Sequence, residues 1–331
     1  MLEARNEPIS VGETTVSPGR KGRIELPFAR LSTGSTASLP VAVINGRSTG
    51  PNMWISGAVH GDELNGVEIV RRVMRQLDAK RLRGAMIAVP IVNPLGFIHE
   101  SRYLPDRRDL NRAFPGSERG SSAARLAHLF MTEIVAQCSV GIDCHTATGH
   151  RANAPQIRAD THDVETMKLA SAFGAPFTIH ARARDGSLRE AATSRGITML
   201  LYESGQAHRF DEPAIETGVT GIMRCLQSLG MIDAGLPPAP PTRVFRRTRW
   251  VRARRGGLVR VFPGLGDRVA RGDAIAEISD AFGYRPTAVK ATDTGWVIGR
   301  SLNPQVSPGD ALVHVAVEGG SDHFDPVRTP F

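Results

Sequence analysis

Cysteine is scarce in this chain of 331 residues, with only Cys138, Cys144 and Cys225. They form no CxxC pattern, and their odd number argues against a disulfide framework and for reduced thiols. The polar N-terminus has no apolar signal core, and the sequence has no run of about 18 apolar residues. We therefore predict a cytoplasmic protein that does not act at a membrane.

Lysine and aromatic residues are also rare. Only four of the 41 basic residues are lysines, so arginine dominates a net charge of +8. The arginines are dispersed, with one dense cluster at 246–255, and aromatic residues make up 5% of the chain. Because few aromatic rings are available to stack on bases, we expect no nucleic-acid partner. Some arginines should instead bind an anionic small-molecule substrate.

Three regions follow one another along the chain. Residues 1–45 contain strand-like stretches, and residues 46–232 alternate wholly apolar strands with amphipathic helices. That alternation predicts an α/β domain with a largely parallel sheet covered on both faces. A proline-rich linker at 233–243 separates it from residues 244–318, where short strands and Gly-Asp turns predict a small all-β barrel or sandwich. Residues 319–331 should form an irregular tail.

Four side chains with catalytic chemistry follow predicted strands: His60, Glu63, His145 and Glu203. Each alone has a plain structural explanation, such as a helix-capping glutamate or a core histidine. Together, two imidazoles and one carboxylate match the ligands of a catalytic zinc ion, which keeps a position open for water. The remaining carboxylate matches the proton shuttle that such a site needs.

A long connection at 93–120 reads NPLGFIHESRYLPDRRDLNRAFPGSERG. An exposed polar loop would explain its composition, but connections of this length without secondary structure are uncommon and usually functional. An arginine and an Asn-Arg pair within it could supply a transition-state clamp and a bidentate carboxylate binder. We therefore predict that this connection contributes to the active site.

The motifs HGDE (60–63), RYLPDRRDLNRAFPG (102–116), DCHT (143–146) and ESG (203–205) resemble those of the succinylglutamate desuccinylase/aspartoacylase family. That family belongs with the zinc carboxypeptidase-like hydrolases. The resemblance implies a three-layer α/β/α fold with a mixed eight-stranded sheet. It also implies one zinc ion per chain, held by His60, Glu63 and His145, with Glu203 as general base and then acid.

The resemblance also assigns roles within the long connection. Arg102 would stabilise the oxyanion, Asn111 and Arg112 would bind the carboxylate of the substrate, and Asp109 would orient that pair from behind. The C-terminal region is similar to a biotinyl/lipoyl domain. It lacks the MKM-type hairpin, and Lys290 lies in a predicted strand, so we expect no modified lysine.

The implied activity is deacylation of a small N-acyl amino acid through a zinc-activated water and the Glu203 base. The two-domain members with these motifs are most similar to the N-acetyl-diaminobutyrate type. A metallocarboxypeptidase that cleaves short peptides and a non-catalytic small-molecule binding protein are the alternatives. A homo-oligomer is an expectation from the family, and substrate specificity should reside in loops at 147–160 and 181–195.

Overall fold

The computed structural model describes residues 4–319. Apart from Gly319, the predicted tail at 319–331 lies outside the described residues. The strands of the first two thirds are β1 (Ile9–Val11), β2 (Thr14–Val16), β3 (Arg20–Arg30), β4 (Thr36–Asn45), β5 (Ser48–Gly57), β6 (Arg83–Val89), β7 (Val140–Ala147), β8 (Arg151–Ala159), β9 (Phe177–His180) and β10 (Thr198–Gln206). The later strands are β11 (Arg243–Phe245), β12 (Thr248–Arg252), β13 (Gly257–Val261), β14 (Arg268–Val269), β15 (Ala274–Ser279), β16 (Thr287–Lys290), β17 (Gly295–Ser301), β18 (Gln305–Val306) and β19 (Ala311–Val317). The helices are α1 (Asn65–Gln76), α2 (Pro94–Ile98), α3 (Ser122–Glu133), α4 (Val164–Phe173), α5 (Leu188–Thr193) and α6 (Glu212–Ser228), with 3-10 turns at Leu110–Arg112 and Val135–Gln137.

The main sheet is mixed, as expected. Eight of its strands lie in the order β3-β4-β6-β5-β7-β10-β8-β9. Within it, β5 pairs in parallel with β6 and β7, and β7 pairs in parallel with β10, whereas β3, β4 and β8 introduce antiparallel pairings. The sheet does not stop at eight strands, because β11 pairs with β9 and β17 pairs with β8. Strands β14 and β19 pair with β17, and β12 pairs with β19, which brings the total to 13.

Helices cover both faces of this sheet, which gives the expected three layers. On β5, Met53 and Ile55 face one core and Trp54 faces the other, because side chains alternate along a strand. Helices α1, α4 and α6 pack in the core that contains Met53, whereas α3 and α5 pack in the core that contains Trp54. Cys144 belongs to the first of these cores, so its side chain points to the opposite face of the sheet from that of its neighbour His145.

Local sequence signals account for where the helices begin. Ser121, Asp163 and Asp211 each accept a backbone N–H from the first turn of α3, α4 and α6. Such caps satisfy donors that have no partner inside the helix. Helix α4 ends at Gly174, whose left-handed backbone (φ 74°) suits glycine.

Two segments expected to be specificity loops contain regular structure. Most of 147–160 is β8, an inner strand paired with β9, β10 and β17, and 181–195 contains α5. The sequence RANAPQIRA does not predict an inner strand, because it contains a proline and several polar residues. The long connection likewise contains α2 and a 3-10 turn rather than only irregular chain.

The C-terminal region is all-β, but a closed barrel is not confirmed. Strands β12, β14, β17 and β19 belong to the main sheet, whereas β13, β15, β16 and β18 form a separate four-stranded sheet. A small apolar core lies among these strands and includes Ile275, Val297 and Leu312. The barrel prediction did not anticipate that β17 extends past this core to pair with β8. Lys290 is the last residue of strand β16, so the predicted strand at this position is present.

The helices of residues 4–319 are all too short or too polar to cross a membrane. The three cysteines are buried and unpaired, in agreement with the prediction from their spacing.

Candidate active site and metal centre

The functional side chains converge at the carboxyl ends of three neighbouring strands. His60 follows β5, His145 lies near the end of β7, and Glu203 lies on β10 directly opposite His145 in the parallel register. Helix α1 approaches this edge closely, because a Cβ atom on Gly66 would lie only 2.6 Å from the carbonyl oxygen of Cys144. The absence of that atom lets the loop before α1 carry Glu63 to His145.

His60, Glu63 and His145 form a compact buried group. Each side chain offers one ligand atom, and these atoms all lie within 4.8 Å of one another. The Nδ1 atoms of both imidazoles lie 2.8 Å from the carboxylate of Glu63, His60 at Oε1 and His145 at Oε2. The backbone N–H of Thr146 also donates to Oε2 of Glu63 at 3.0 Å. Two nitrogens and a carboxylate in this arrangement could hold a metal ion.

A second carboxylate orients each imidazole. Nε2 of His145 lies 2.7 Å from Oδ2 of Asp143, and Nε2 of His60 lies 3.2 Å from Oδ1 of Asp109. The hydroxyl of Ser56 donates to Oδ1 of Asp143 at 2.8 Å. A carboxylate at one ring nitrogen fixes the proton there and leaves the other nitrogen free to bind metal. With a metal bound, Nδ1 of both histidines, the ring nitrogen that faces Glu63, would therefore be the coordinating atom.

Electrostatics favour an ionised Glu63. Burial alone would raise its pKa, but the adjacent imidazoles of His60 and His145 hold the pKa well below its usual range. Burial would lower the pKa of both histidines, yet Glu63 raises that of His60, and Asp143 together with Glu63 raises that of His145. This concentration of negative charge around two imidazoles is what a divalent cation requires.

Glu203 lies at the same edge with one carboxylate oxygen held in place. The side-chain amide of Asn153 donates to its Oε2 at 2.7 Å, and Nε of Arg158 lies 3.4 Å from the same atom. Both partners belong to β8, which is antiparallel to β10. Glu203 lines the cavity that also contains His60 and His145. A fixed carboxylate that borders a metal-binding group can exchange protons with a bound substrate.

Arg102 approaches the metal-binding group from the long connection. Its Nε and Nη2 donate to Oδ2 of Asp109 at 3.2 and 2.8 Å, and its Nη1 lies 3.7 Å from Oε1 of Glu63. Burial would raise the pKa of Asp109, but His60 and Arg102 hold it well below its usual range. The carboxylate of Asp109 therefore links Arg102 to His60. We had expected it to orient Asn111 and Arg112, and its contact with that pair is a hydrogen bond from the backbone N–H of Asn111.

Asn111 and Arg112 line the same cavity as Glu203. The side-chain oxygen of Asn111 accepts the N–H of Leu188 at 2.9 Å, and its backbone N–H donates to Asp109 at 2.9 Å. The guanidinium of Arg112 donates to the carbonyl oxygen of Asn111 and is otherwise exposed. No carboxylate of residues 4–319 pairs with Arg112 within 4.0 Å, so its charge is available to a ligand.

Sequence reasoning missed several residues that line this cavity or hold its lining side chains in place. Asp143 could have been found, because it stands two positions before His145 on a predicted strand and therefore shares its face. Asn153 and Arg158 lie on the strand that was taken for a loop. Arg189, on α5, also lines the cavity, and no local motif marks it.

Residues 49–229 match the family model described as the succinylglutamate desuccinylase/aspartoacylase catalytic domain. The match covers more than half of the chain and contains every residue of the metal-binding group. The chain belongs to this family. The resemblance in its motifs is thereby confirmed, and the protein is an amide-bond hydrolase.

Relatives of known name span the chain to different extents. N-alpha-acetyl-L-2,4-diaminobutyric acid deacetylase from Halomonas elongata is 27% identical over 332 residues, which covers 95% of this chain and 96% of the relative. Succinylglutamate desuccinylase from Pseudomonas paraeruginosa is 26% identical over 204 residues, or 57% of each chain. A crystal structure of a succinylglutamate desuccinylase/aspartoacylase from Rhodobacter sphaeroides superposes with a TM-score of 0.79 at 27% identity, covering 89% of this chain and 94% of that one.

Proposed function

We propose that this protein is a zinc-dependent deacylase that removes the N-acyl group from a small N-acyl amino acid. One observation carries the proposal: His60, Glu63 and His145 present converging metal donors beside Glu203 at a single sheet edge. Family membership supports the reaction class, and the cavity that contains these residues offers room for a small substrate. We place the catalytic unit at residues 46–232, with Trp250 from the C-terminal region also lining the cavity.

The donor set suits zinc. Two neutral imidazole nitrogens and a carboxylate oxygen are the protein ligands of many catalytic zinc sites. His60, Glu63 and His145 would hold the ion, and Asp109 and Asp143 would hold the imidazoles in the metal-binding tautomer. A zinc ion with an open position supplies a water of pKa about 7 and polarises a carbonyl.

Substrate placement would fall to the residues of the long connection. Arg112, with the side-chain amide of Asn111, would bind the α-carboxylate of the amino acid. Arg102 would donate to the carbonyl oxygen of the amide as negative charge develops there. Its contacts with Asp109 fix the guanidinium in advance, so little reorganisation is needed during the reaction.

Glu203 would move the proton. Its carboxylate would accept a proton from the attacking water and deliver it to the nitrogen of the leaving amino acid. Asn153 occupies Oε2 of Glu203 and leaves Oε1 for this exchange. The products are a carboxylate from the acyl group and a free amino acid.

N-acetyl-diaminobutyrate is the substrate favoured by similarity along the whole chain. The relative from Halomonas elongata carries that activity in its name and covers nearly the full length.

The test is release of free amine by zinc-loaded protein from a panel of N-acetyl, N-succinyl and N-formyl amino acids and short peptides. Glu203→Gln should retain one zinc per chain and lose turnover by about 10²–10⁴-fold, because general acid–base catalysis contributes that much. Glu165→Gln, an exposed carboxylate paired with Lys168, is the matched control and should behave as wild type.

Each assignment can be contradicted separately. Full activity in Glu203→Gln would remove Glu203 as the base. An unchanged zinc content in His145→Ala would remove His145 from the ligands. Faster cleavage of peptides than of N-acyl amino acids would replace the deacylase with a metallocarboxypeptidase.

A further inference from the structure

Strand β10 is irregular directly after the proposed base. Its parallel pairing with β7 runs in register up to Glu203 and then shifts before Gln206, and its antiparallel pairing with β8 shifts between Glu203 and Gly205. Ser204 therefore has no partner residue in either register, although β10 is an inner strand of the sheet. An irregularity of this kind bends the strand and redirects the side chains beside it.

The side chain of Asn65 takes the place of the missing strand partner. Its Nδ2 donates to the carbonyl oxygen of Ser204 at 3.2 Å, and its Oδ1 accepts the backbone N–H of Asp211 at 2.9 Å. Asn65 is the first residue of α1, and its exposed fraction is 1%. A buried backbone carbonyl without a donor is costly, so this contact stabilises the irregular conformation of β10.

Gly205 gives the amide of Asn65 the space it occupies. The backbone of Gly205 is left-handed, with φ 75°, and a Cβ atom there would lie only 2.6 Å from Nδ2 of Asn65. Glycine adopts this conformation readily and has no side chain to displace the amide. The strand irregularity and the contact with Asn65 therefore depend on the same glycine.

Asn65 connects the segment of the metal-binding group to the strand of the proposed base. It stands two positions after Glu63, and its acceptor Ser204 directly follows Glu203. Asn153 fixes the carboxylate of Glu203 at Oε2, but that contact does not fix the backbone that carries the side chain. The contact from Asn65 does, because it holds the next residue of the strand.

We propose that Asn65 is a positioning residue, which holds the irregular turn of β10 at Ser204 and thereby sets the position of Glu203 relative to the metal-binding group. The inference rests on the proposed deacylase function and adds a residue to it. Asn65 acts through Glu203 and not through the substrate carboxylate or the metal. Its loss should therefore lower kcat and leave KM and zinc affinity nearly unchanged.

Asn65→Ala tests this split in the zinc-loaded enzyme, with N-acetyl-diaminobutyrate as substrate. We expect kcat to fall by about 100-fold, since small misplacements of catalytic groups have such effects. KM should change by less than about 3-fold, the range expected when uniform substrate binding is retained. Zinc affinity, measured by competition with a chromophoric chelator, should match wild type. Weaker zinc binding in Asn65→Ala would mean that Asn65 supports Glu63 instead, and would overturn the proposal.

A double-mutant cycle shows whether Asn65 acts through Glu203. In the Glu203→Gln background, Asn65→Ala should lower the residual rate by less than about 3-fold, because a base that is absent cannot be misplaced. A general loss of structure would instead multiply the two losses, which would contradict the proposal. Asn52→Ala is the matched control, because Nδ2 of Asn52 donates to the carbonyl oxygen of Gln137 at 3.1 Å, earlier in β5. It should keep the wild-type kcat.

Gly205→Ala disturbs the same contact without changing Asn65. The added Cβ atom should displace the amide and reproduce the loss of kcat with zinc retained. Gly196→Ala controls for backbone strain, because Gly196 has φ 76° and a Cβ atom there would meet nothing within 4 Å. Wild-type kcat in both Asn65→Ala and Gly205→Ala would overturn the proposal.

Hydrogen exchange gives a readout that does not depend on turnover. Measured by mass spectrometry, exchange in residues 204–211 should be faster in Asn65→Ala, because the N–H of Asp211 loses its acceptor. Exchange in 140–147, on β7, should match wild type, and faster exchange throughout the sheet would indicate a general loss of stability and contradict the proposal. Failure of the deacylase function looks different, because wild type itself would then release no amine from any N-acyl amino acid despite bound zinc.

Discussion

Oδ2 of Asp143 lies 2.7 Å from Nε2 of His145, and both residues stand on β7 two positions apart. Oδ1 of the same carboxylate accepts the hydroxyl of Ser56 on the neighbouring strand. The carboxylate therefore joins two strands and sets the tautomer of one proposed zinc ligand. Because the contact lies within one strand, it is fixed by the fold before any metal binds.

Asp143→Asn should weaken zinc binding by about 10–100-fold, the usual effect of losing the carboxylate behind a metal-bound histidine. The amide can present its N–H to Nε2 and favour the wrong tautomer of His145. The measurement is competition for zinc with a chromophoric chelator. Asp106→Asn changes a carboxylate in the long connection that contacts Arg108 and should keep the wild-type affinity. A zinc affinity of Asp143→Asn equal to that of wild type would remove Asp143 from this role.

Arg102→Lys should lower kcat/KM by about 10²–10³-fold, the cost of losing one oxyanion donor. A lysine keeps the charge but cannot both contact Asp109 at two nitrogens and reach toward Glu63, as the guanidinium does. Zinc content should remain at one per chain, which separates this effect from metal loss. Arg108→Lys, on an exposed side chain of the same segment, should retain activity. Loss of zinc from Arg102→Lys would instead make Arg102 part of the support for the metal.

The C-terminal region contacts Asn153, the residue whose side-chain amide donates to the proposed base. A Cβ atom on Gly299 of β17 would lie 2.8 Å from Oδ1 of Asn153, whose Nδ2 donates to Glu203. Gly299→Ala should displace that amide and lower kcat by up to about 100-fold, since small misplacements of catalytic groups have such effects. KM and zinc content should change little. Gly256→Ala, where the added atom meets ordinary contacts, is the matched control. Wild-type kcat in Gly299→Ala would show that the position of Asn153 does not govern Glu203.

The proposed metal ligands could be predicted from the sequence because they belong to short motifs that follow apolar strands. Carboxyl ends of neighbouring parallel strands meet at one edge, so His60, His145 and Glu203 were expected to converge. The contact between Asp143 and His145 could also be predicted, because side chains alternate along a strand and the same alternation places Cys144 in the core. The three-layer fold followed from apolar strands alternating with amphipathic helices.

The rest of the cavity depends on contacts that no local pattern encodes. The segment that forms β8 contains Pro155 and reads as a loop, yet it brings Asn153 and Arg158 to Glu203. Strand β17 pairs with both β19 and β8, and strand propensity does not specify which strands will be its partners. Burial of Arg189 likewise results from packing around α5 rather than from its neighbours in sequence.

Removal of zinc should lower the Tm of the protein, and the Tm should depend on the concentration of free zinc. Metal that binds only the folded state adds about 2.7 kcal/mol when its free concentration is 100 times Kd. The group of His60, Glu63 and His145 is fully buried, so its charges interact strongly with a cation. Tm measured by scanning calorimetry should fall on chelation and rise again with the logarithm of added zinc. His145→Ala should abolish that dependence, and a variant Tm that still rises with zinc would contradict the assigned ligands.

Acid should destabilise the protein partly through His314. Burial, with a further contribution from Arg158, lowers the pKa of this imidazole to about 3, and the ring stacks on Trp250 with centroids 4.5 Å apart. An unfolded chain binds a proton there below its ordinary pKa of about 6.5, whereas the folded chain does not. The free energy of unfolding should therefore fall by up to about 2 kcal/mol between pH 6.5 and 5.0 from this group alone, at 1.36 kcal/mol per unit. His314→Phe keeps an aromatic ring against Trp250 and should remove this part of the slope in urea unfolding of the metal-free protein. His150→Gln, at an exposed position, should retain the wild-type slope, and an unchanged slope in His314→Phe would refute the assignment.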